Sequence, residues 1–253
     1  MDPKHRFTDR VVNYFKGRPG YPAQVIDVLR SHCGLTNTAV VADIGSGTGI
    51  LAHTLCNYAQ SVYGVEPNDA MRAASKELLS NKPNFVAVNG AAENTGLPAT
   101  SVDLITVAQA FHWFDQSEAR HEFMRILKPN GFTALIWNDR RMTGSHLAEA
   151  YEQLLVDFGV DYRDVKSRGR AAAENIERFF GHSQIKRSTI ANSQRLDCDG
   201  FIARATSASY MPGESHPHHR AMVEAARRIF EENHSGDYVV LEYDTRIYYA
   251  QMS

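Results

Sequence analysis

The sequence predicts an α/β fold with a doubly wound, mostly parallel sheet covered by helices on both faces. Three observations predict it. Between Ala39 and Trp137, short apolar runs alternate with helical segments, which is typical of right-handed βαβ units. The apolar run Val40–Ile44 passes directly into a glycine-rich turn and then a helix. The run Val102–Ala108 is apolar enough for a central strand that is buried on both faces.

Composition describes an ordinary globular protein. The 253 residues are 43% hydrophobic and 22% charged, and the net charge of -2 gives no basic surface for nucleic acid or an anionic membrane. No apolar run approaches the roughly 18 residues that span a bilayer, and the first residues lack the apolar stretch of a signal peptide, so we expect a cytoplasmic protein. Cys33, Cys56 and Cys198 are far apart and are expected to be reduced thiols.

Each element is predicted from the local hydrophobic pattern and from the turn and capping residues that bound it. The expected strands are Val40–Ile44, Ser61–Glu66, Phe85–Val88, Val102–Ala108, Phe132–Trp137, Gln184–Leu196 and Tyr238–Gln251. The expected helices are Pro22–Cys33, Ile50–Tyr58, Ala70–Leu79, a helix from a cap at Asp115 or Ser117 to Leu127, Leu147–Phe158, Phe201–Ala208 and Arg220–Glu232. Lys128–Gly131 should end its helix by turn chemistry, and Asp161–Arg170 reads as a charged, mobile stretch.

The glycine turn indicates a cofactor cradle. Gly45, Gly47 and Gly49 form a G-x-G-x-G pattern, in which glycines let a ligand approach the main chain closely. A dinucleotide fingerprint would need a glycine where Ile50 stands. Asp43 disfavours a pyrophosphate but offers a counter-charge to a cationic ligand, and Glu66 stands where such folds place an acid for a ribose diol. A nucleoside carrying a positively charged amino acid fits best.

Five segments in the right order resemble the class I S-adenosylmethionine-dependent methyltransferases: Val41–Gly49, Gly64–Met71, Gly90–Glu93, Ala108–Asp115 and Arg125–Gly131. The resemblance implies a seven-stranded Rossmann-like sheet with an antiparallel last strand and a helical cap. It implies one domain over residues 1–253, with a core at about 34–138 plus strands at 184–196 and 238–251. The cap would occupy about 140–182 and 197–234.

The resemblance also implies S-adenosyl-L-methionine as the cofactor and a set of residues that bind it. An N-terminal arm with Tyr14 and Arg18 would fold over the pocket, or else be a packing strap. Met71 would lie near the adenine, or else be an ordinary residue of the hydrophobic core. The full expected set is Tyr14, Arg18, Asp43, Gly45, Ser46, Gly47, Glu66, Pro67, Met71, Ala92, Glu93, Ala108 and Gln109.

The loop after strand four, Gln109–Phe114, should line the pocket where the methyl group leaves, because ligands lie beyond the carboxyl ends of the strands in such sheets. His112 and Trp113 are the expected catalytic residues. The alternative is that the aromatics are core residues and that His112 is a structural histidine. A carboxylate acceptor needs no base, whereas a hydroxyl or activated carbon would make His112 the candidate base.

The expected function is methyl transfer to a small molecule, with a carboxylate or hydroxyl acceptor favoured. The Ala-x-x-His-Trp-Phe-like loop resembles the branch that includes trans-aconitate methyltransferase, and quinone C-methyltransferases resemble it less. Without an Asn/Asp-Pro-Pro-aromatic segment, nucleic acid is not expected as a partner.

We expect a monomer or homodimer, and no metal at His216, His218 and His219. Two arginine pairs, Arg140–Arg141 and Arg227–Arg228, are expected on solvated surfaces. The alternative is that one of the pairs binds an acidic acceptor. The alternative function is a non-catalytic cofactor-binding module.

Overall fold

The computed structural model describes residues 17–181 and 183–252, apart from the side chains of residues 168–173. Its strands are β1 (Val40–Ile44), β2 (Ser61–Val65), β3 (Phe85–Val88), β4 (Val102–Ala108), β5 (Leu127–Arg140), β6 (Lys186–Leu196) and β7 (Val239–Gln251). Its helices are α1 (Ala23–His32), α2 (Ile50–Leu55), α3 (Asp69–Leu78), α4 (Gln116–Ile126), α5 (His146–Phe158), α6 (Tyr162–Glu174), α7 (Ile176–Phe180), α8 (Cys198–Thr206) and α9 (His219–Asn233). Tyr14 lies outside the described residues.

The strands form one seven-stranded sheet in the order β3-β2-β1-β4-β5-β7-β6. β1 to β5 pair in parallel, and β7 runs antiparallel to both β5 and β6. The predicted fold class is therefore confirmed. Since β1 lies beside both β2 and β4, the chain leaves the centre of the sheet first in one direction and then in the other, and a crevice opens at the carboxyl ends of β1 and β4.

Apolar side chains cover both faces of the sheet. One cluster packs Phe123 of α4 and Phe179 of α7 against β4, and another packs Leu29 of α1 and Leu55 of α2 on the opposite face. A third cluster joins α5, α8 and α9 to β7 through residues such as Tyr243. These helices lie over one end of the sheet, where the predicted cap was placed. Within the described ranges, no helix has both the length and the apolar character that crossing a membrane requires.

Two predicted boundaries were wrong for identifiable reasons. Lys128–Gly131 does not terminate α4, which ends at Ile126, but forms an irregular opening of β5, with Asn130 at a φ of +65° and a shift of register against β4. The charged stretch after Asp161 is the helix α6. Glu152 of α5 anchors it, because its carboxylate accepts hydrogen bonds from Tyr162 (2.8 Å) and Lys166 (2.8 Å).

The helix predicted at Ile50–Tyr58 was too long. It stops at Leu55, and Tyr58 closes a tighter turn by donating its backbone N–H to the Leu55 carbonyl at 2.9 Å. Asn84 stabilises this early end, since its side-chain amide donates to the carbonyls of Cys56 (2.9 Å) and Ala59 (3.0 Å). β5 runs three residues past its predicted end at Trp137, to Arg140, and the other core strands and helices end within one or two residues of the predicted bounds.

Candidate functional site

Two cavities meet at the carboxyl ends of β1 and β4. The first measures about 250 Å³ and the second about 220 Å³. Both are lined by Gly45, Ala108, Gln109 and Trp113, so they share a common wall. This wall lies where the sheet order reverses, the position at which open α/β sheets bind their ligands.

The glycine turn needs its glycines for both conformation and space. Gly45, Gly47 and Gly49 have φ values of +67°, +56° and +84°, a region that residues with a Cβ rarely adopt. A Cβ on Gly45 would lie 2.5 Å from the Cβ of Ala110, which is well inside contact distance. The turn therefore brings its main chain directly against the loop that follows β4.

Glu66 is held in place by main-chain donors from two segments. Its Oε2 accepts from the N–H of Gly47 and its Oε1 from the N–H of Asn68, both at 2.9 Å. The side chain lines the second cavity and is 9% exposed, and this burial raises its pKa. The arrangement presents a fixed carboxylate whose remaining lone pairs can accept hydrogen bonds from a ligand.

Asp43 lies at the floor of the first cavity and is only 1% exposed. It pairs in register with Thr106 of β4, whose hydroxyl donates to Asp43 Oδ1 at 2.7 Å. Burial raises the pKa of Asp43 to about 7, and the neighbouring charge of Glu66 acts in the same direction. A cation in the cavity would favour the ionised form of this carboxylate.

The second cavity combines one carboxylate with apolar walls. Met71 and Ala92 are almost fully buried there, beside Pro67 and Phe114. Glu93 also lines it, but its Oε1 already accepts the N–H of Asp115 at 2.8 Å, which ties the loop after β3 to the start of α4. Such walls suit a flat apolar ring beside a hydroxylated sugar.

The loop after β4 has a strained backbone at the shared wall. Gln109 has a φ of +61°, an uncommon conformation for a residue with a side chain. It is fixed by two hydrogen bonds, from its N–H to the Ile136 carbonyl (2.9 Å) and from its Nε2 to the Asn138 carbonyl (3.2 Å). Strain held in this way is concentrated at functional sites.

The aromatic residues of this loop divide between site and core. His112 lines the first cavity, Trp113 lines both, and Phe114 lines the second. Phe111 does not reach either cavity: it is fully buried, with its ring 4.8 Å from that of Phe179. The expectation that the whole loop lines the pocket therefore fails at Phe111, because the short 3-10 helix Phe111–Trp113 turns successive side chains to different sides.

The remaining predicted residues fall on one cavity or the other. Arg18 and Ser46 line the first cavity, and Gly47 lines the second. Ser46 Oγ is buried and has no hydrogen-bond partner in the described part of the chain. A buried hydroxyl without a partner, next to a glycine cradle, fits a ligand that supplies the missing hydrogen bond.

Sequence reasoning missed the residues that the cap contributes. Arg204 and Tyr210 line the first cavity but stand far from the glycine turn in sequence. One signal was available: Arg204 lies three residues after Phe201, in a short helix whose other residues, except Asp199, are small or apolar. A charged residue at such a position indicates a pocket or a buried network.

Comparison with known proteins agrees with this geometry. Residues 42–135 match a family model described as a methyltransferase domain. The match covers 94 of the 253 residues. An uncharacterised methyltransferase of Mycobacterium tuberculosis is 38% identical over 134 residues, 53% of this chain and 52% of the relative. An uncharacterised methyltransferase of Schizosaccharomyces pombe is 33% identical over 135 residues, 53% of each chain. The chain spans about half the length of these curated relatives.

Solved structures support the fold over most of the chain. A putative type II methyltransferase from Anaeromyxobacter dehalogenans superposes with a TM-score of 0.65 over 92% of this chain and 96% of its own, at 20% identity. At that identity the likeness shows the fold alone. The matched family model implies S-adenosylmethionine as the methyl donor, which agrees with the resemblance seen in the sequence, whereas the trans-aconitate branch stays a prediction.

Proposed function

We propose that the protein transfers a methyl group from S-adenosylmethionine to a small-molecule acceptor, with a carboxylate or hydroxyl oxygen as the favoured target. The observation that carries this proposal is the common wall of the two cavities. The second cavity has the carboxylate and apolar surfaces that suit a nucleoside, and the first has polar groups that suit the amino-acid part of the cofactor, with His112 on the side where an acceptor would approach. They join at Gly45, Ala108, Gln109 and Trp113.

The residues of the second cavity fit the nucleoside part. Glu66 would accept hydrogen bonds from the ribose hydroxyls, since two backbone amides already fix its orientation. Met71 and Ala92 would contact the adenine, and Phe114 closes the cavity near Gly45. Pro67 and Glu93 complete the wall.

The residues of the first cavity fit the amino-acid part. Asp43 would offer a counter-charge to the ammonium group, and Ser46 Oγ would gain a partner. When bound, S-adenosylmethionine supplies a methyl group on a positively charged sulfur, so the donor is already activated. The protein then has to orient the acceptor and exclude water, and orientation alone can contribute on the order of 7–11 kcal/mol.

The acceptor would approach over His112 and Trp113. A third cavity of about 610 Å³ shares His112, Arg140, Val165 and Tyr210 with the first, and it offers room for an acceptor between β5 and α6. Trp113 provides an apolar wall at the junction, and His112 stands where it can orient the acceptor or take its proton. Nucleic acid is not the proposed acceptor, because the chain has a net charge of -2.

The test uses the full chain, a methyl donor with an isotopically labelled methyl group, and fractionated metabolite pools read by mass spectrometry. We expect S-adenosylhomocysteine to bind in calorimetry, NADH not to bind, and a labelled small molecule to form in at least one pool. Binding without transfer to any pool would favour the non-catalytic binding module. Absence of S-adenosylhomocysteine binding would refute the cofactor assignment. The single domain over residues 1–253, the cytoplasmic location and the monomer or homodimer remain predictions.

A further inference from the structure

Four aromatic side chains line the third cavity, and they come from two different layers of the fold. Trp137 of β5 and Tyr248 of β7 belong to the sheet, whereas Tyr162 begins α6 and Tyr210 follows α8 in the cap. The volume of about 610 Å³ lies within the range of roughly 300–1,000 Å³ that is usual for small-molecule sites. The cavity therefore has aromatic surface on its sheet side and on its cap side.

Neighbouring groups hold these rings in place. The rings of Trp137 and Tyr248 lie 5.8 Å apart and nearly perpendicular, at 85°. The rings of Tyr162 and Tyr210 lie 4.8 Å apart, and the Tyr162 hydroxyl donates to the carboxylate of Glu152 at 2.8 Å. Rings that are already fixed lose little conformational freedom when a ligand binds between them.

The charges at this cavity are neutralised within the chain. Every Asp, Arg and Lys side chain that lines it has an ion-pair partner, and the pairs are Arg140–Glu152, Lys166–Glu152, Arg141–Asp244, Arg141–Glu242 and Arg246–Asp139. These four cations and four carboxylates together carry no net charge. A charged acceptor would therefore lose hydration without meeting an unneutralised counter-charge, which costs free energy.

The third cavity reaches the site of methyl transfer at His112. This residue lines both the first and the third cavity, and its ring lies 4.9 Å from that of Trp113 at the wall that the first and second cavities share. Trp137, Tyr162 and Tyr248 line the third cavity and neither of the other two. These three rings are therefore available to the acceptor while the cofactor occupies its own cavities.

We infer that the acceptor is an uncharged phenol, whose aromatic ring binds between Trp137 and Tyr248 of the sheet and Tyr162 and Tyr210 of the cap. The inference rests on the proposed function, and of the two favoured acceptor groups it selects the hydroxyl. Aromatic rings attract one another through edge-to-face and offset contacts, beyond the apolar area that they bury. An uncharged ring also needs no counter-charge, which agrees with the neutralised charges of the cavity.

The reaction of such an acceptor balances with the groups already named. The phenolic oxygen forms a bond to the methyl carbon while the bond from that carbon to sulfur breaks, and the electron pair of the broken bond stays on sulfur. The phenolic proton passes to His112. The products are an aryl methyl ether and S-adenosylhomocysteine.

The first test compares three small molecules that share one two-ring carbon skeleton. Each is titrated by calorimetry at pH 7 into the full chain saturated with S-adenosylhomocysteine. 2-Naphthol is an uncharged phenol, 2-naphthoate carries a carboxylate on the same aromatic rings, and decahydro-2-naphthol is an alcohol without an aromatic ring. We expect 2-naphthol to bind, and to bind more tightly than either of the others by roughly tenfold or more.

The second test removes one ring of the cavity. Tyr248→Leu should weaken the binding of 2-naphthol by roughly fivefold or more, and Tyr248→Phe, which keeps the ring, should bind it as the wild type does. Tyr58→Leu is the matched control, because both tyrosines are half-buried and each ring has an arginine at a similar distance, Arg187 at 5.6 Å from Tyr248 and Arg30 at 5.7 Å from Tyr58. All three variants should keep their affinity for S-adenosylhomocysteine.

Each result decides a separate point. Failure of 2-naphthol to bind would overturn the inference, and so would equally tight binding of 2-naphthoate or of decahydro-2-naphthol. Equal affinity of Tyr248→Leu and Tyr58→Leu for 2-naphthol would overturn the placement of the ring. Should Tyr248→Leu fail to fold, the comparison of the three molecules on the wild-type protein still decides. Failure of S-adenosylhomocysteine itself to bind would instead refute the proposed function, so the two failures are distinguishable.

Discussion

The main-chain N–H of Gly47 donates to Glu66 Oε2 at 2.9 Å across 19 residues of sequence. This bond joins the glycine turn after β1 to the acid at the end of β2. Because a second amide, from Asn68, holds the other carboxylate oxygen, the side chain is oriented before any ligand arrives. A preoriented group loses little conformational freedom on binding, which favours affinity.

Glu66→Gln should weaken the binding of S-adenosylhomocysteine by roughly 10- to 100-fold, because hydrogen bonds to charged groups contribute about 1.5–3 kcal/mol. The amide has one acceptor oxygen, so its NH₂ group would face the N–H of Gly47 or of Asn68. Calorimetry measures the change. Glu77→Gln, on the exposed face of α3, is the matched control and should bind normally. Equal affinity of the two variants would remove Glu66 from the site.

Gly45→Ala should destabilise the protein more than Gly96→Ala. Both glycines have a positive φ, +67° and +73°, so alanine is strained at each by about 1–2 kcal/mol. Only the Cβ at position 45 meets another atom, Ala110 Cβ at 2.5 Å, whereas nothing lies within 4 Å of one at position 96. Urea unfolding should show a larger loss for Gly45→Ala, accompanied by loss of S-adenosylhomocysteine binding. Equal losses would contradict the close approach seen here.

The core of the fold was predictable because its signals are local. β3 and β4 follow from short apolar runs bounded by turn residues, and their predicted ends agree with the structure. The cap was less predictable. The sequence predicts a mobile stretch where α6 lies, because the charged residues there show no apolar stripe. The helix is held instead by the contacts of Tyr162 and Lys166 with Glu152, which sequence spacing does not reveal. Arg204 was not predicted as a site residue for the same reason, because its place in the site depends on tertiary packing that sequence spacing does not reveal.

Binding of S-adenosylhomocysteine should become tighter as the pH rises from 5.5 to 7.5. Burial raises the pKa of Asp43 to about 7, so the carboxyl is mostly protonated at the lower pH. The ammonium group of the ligand favours the ionised form, and binding below pH 7 should therefore release protons. The same shift has the opposite effect on folding: the stability that the protonated carboxyl contributes is full below about pH 4 and is lost as the pH rises through about 7.

Calorimetry in two buffers of different ionisation enthalpy counts the protons released. Asp43→Asn keeps the size of the side chain and removes its titration. We expect this variant to bind with a pH-independent and weaker affinity over the same range. A wild-type affinity that does not change with pH, or an equal pH dependence in Asp43→Asn, would show that another group titrates.

His112→Ala should lower kcat for a hydroxyl acceptor by about 10²- to 10⁴-fold, the usual contribution of a positioned base. His112 lines the first cavity together with Trp113, and it also lines the third cavity. It does not line the second cavity, which is proposed to hold the nucleoside. Because the contacts to the nucleoside are kept, the affinity for S-adenosylhomocysteine should fall by much less than kcat does. His121→Ala, on the exposed side of α4, is the control and should retain full turnover. Unchanged kcat in His112→Ala with an identified hydroxyl acceptor would exclude His112 as the base, whereas a carboxylate acceptor needs none, because it is already ionised.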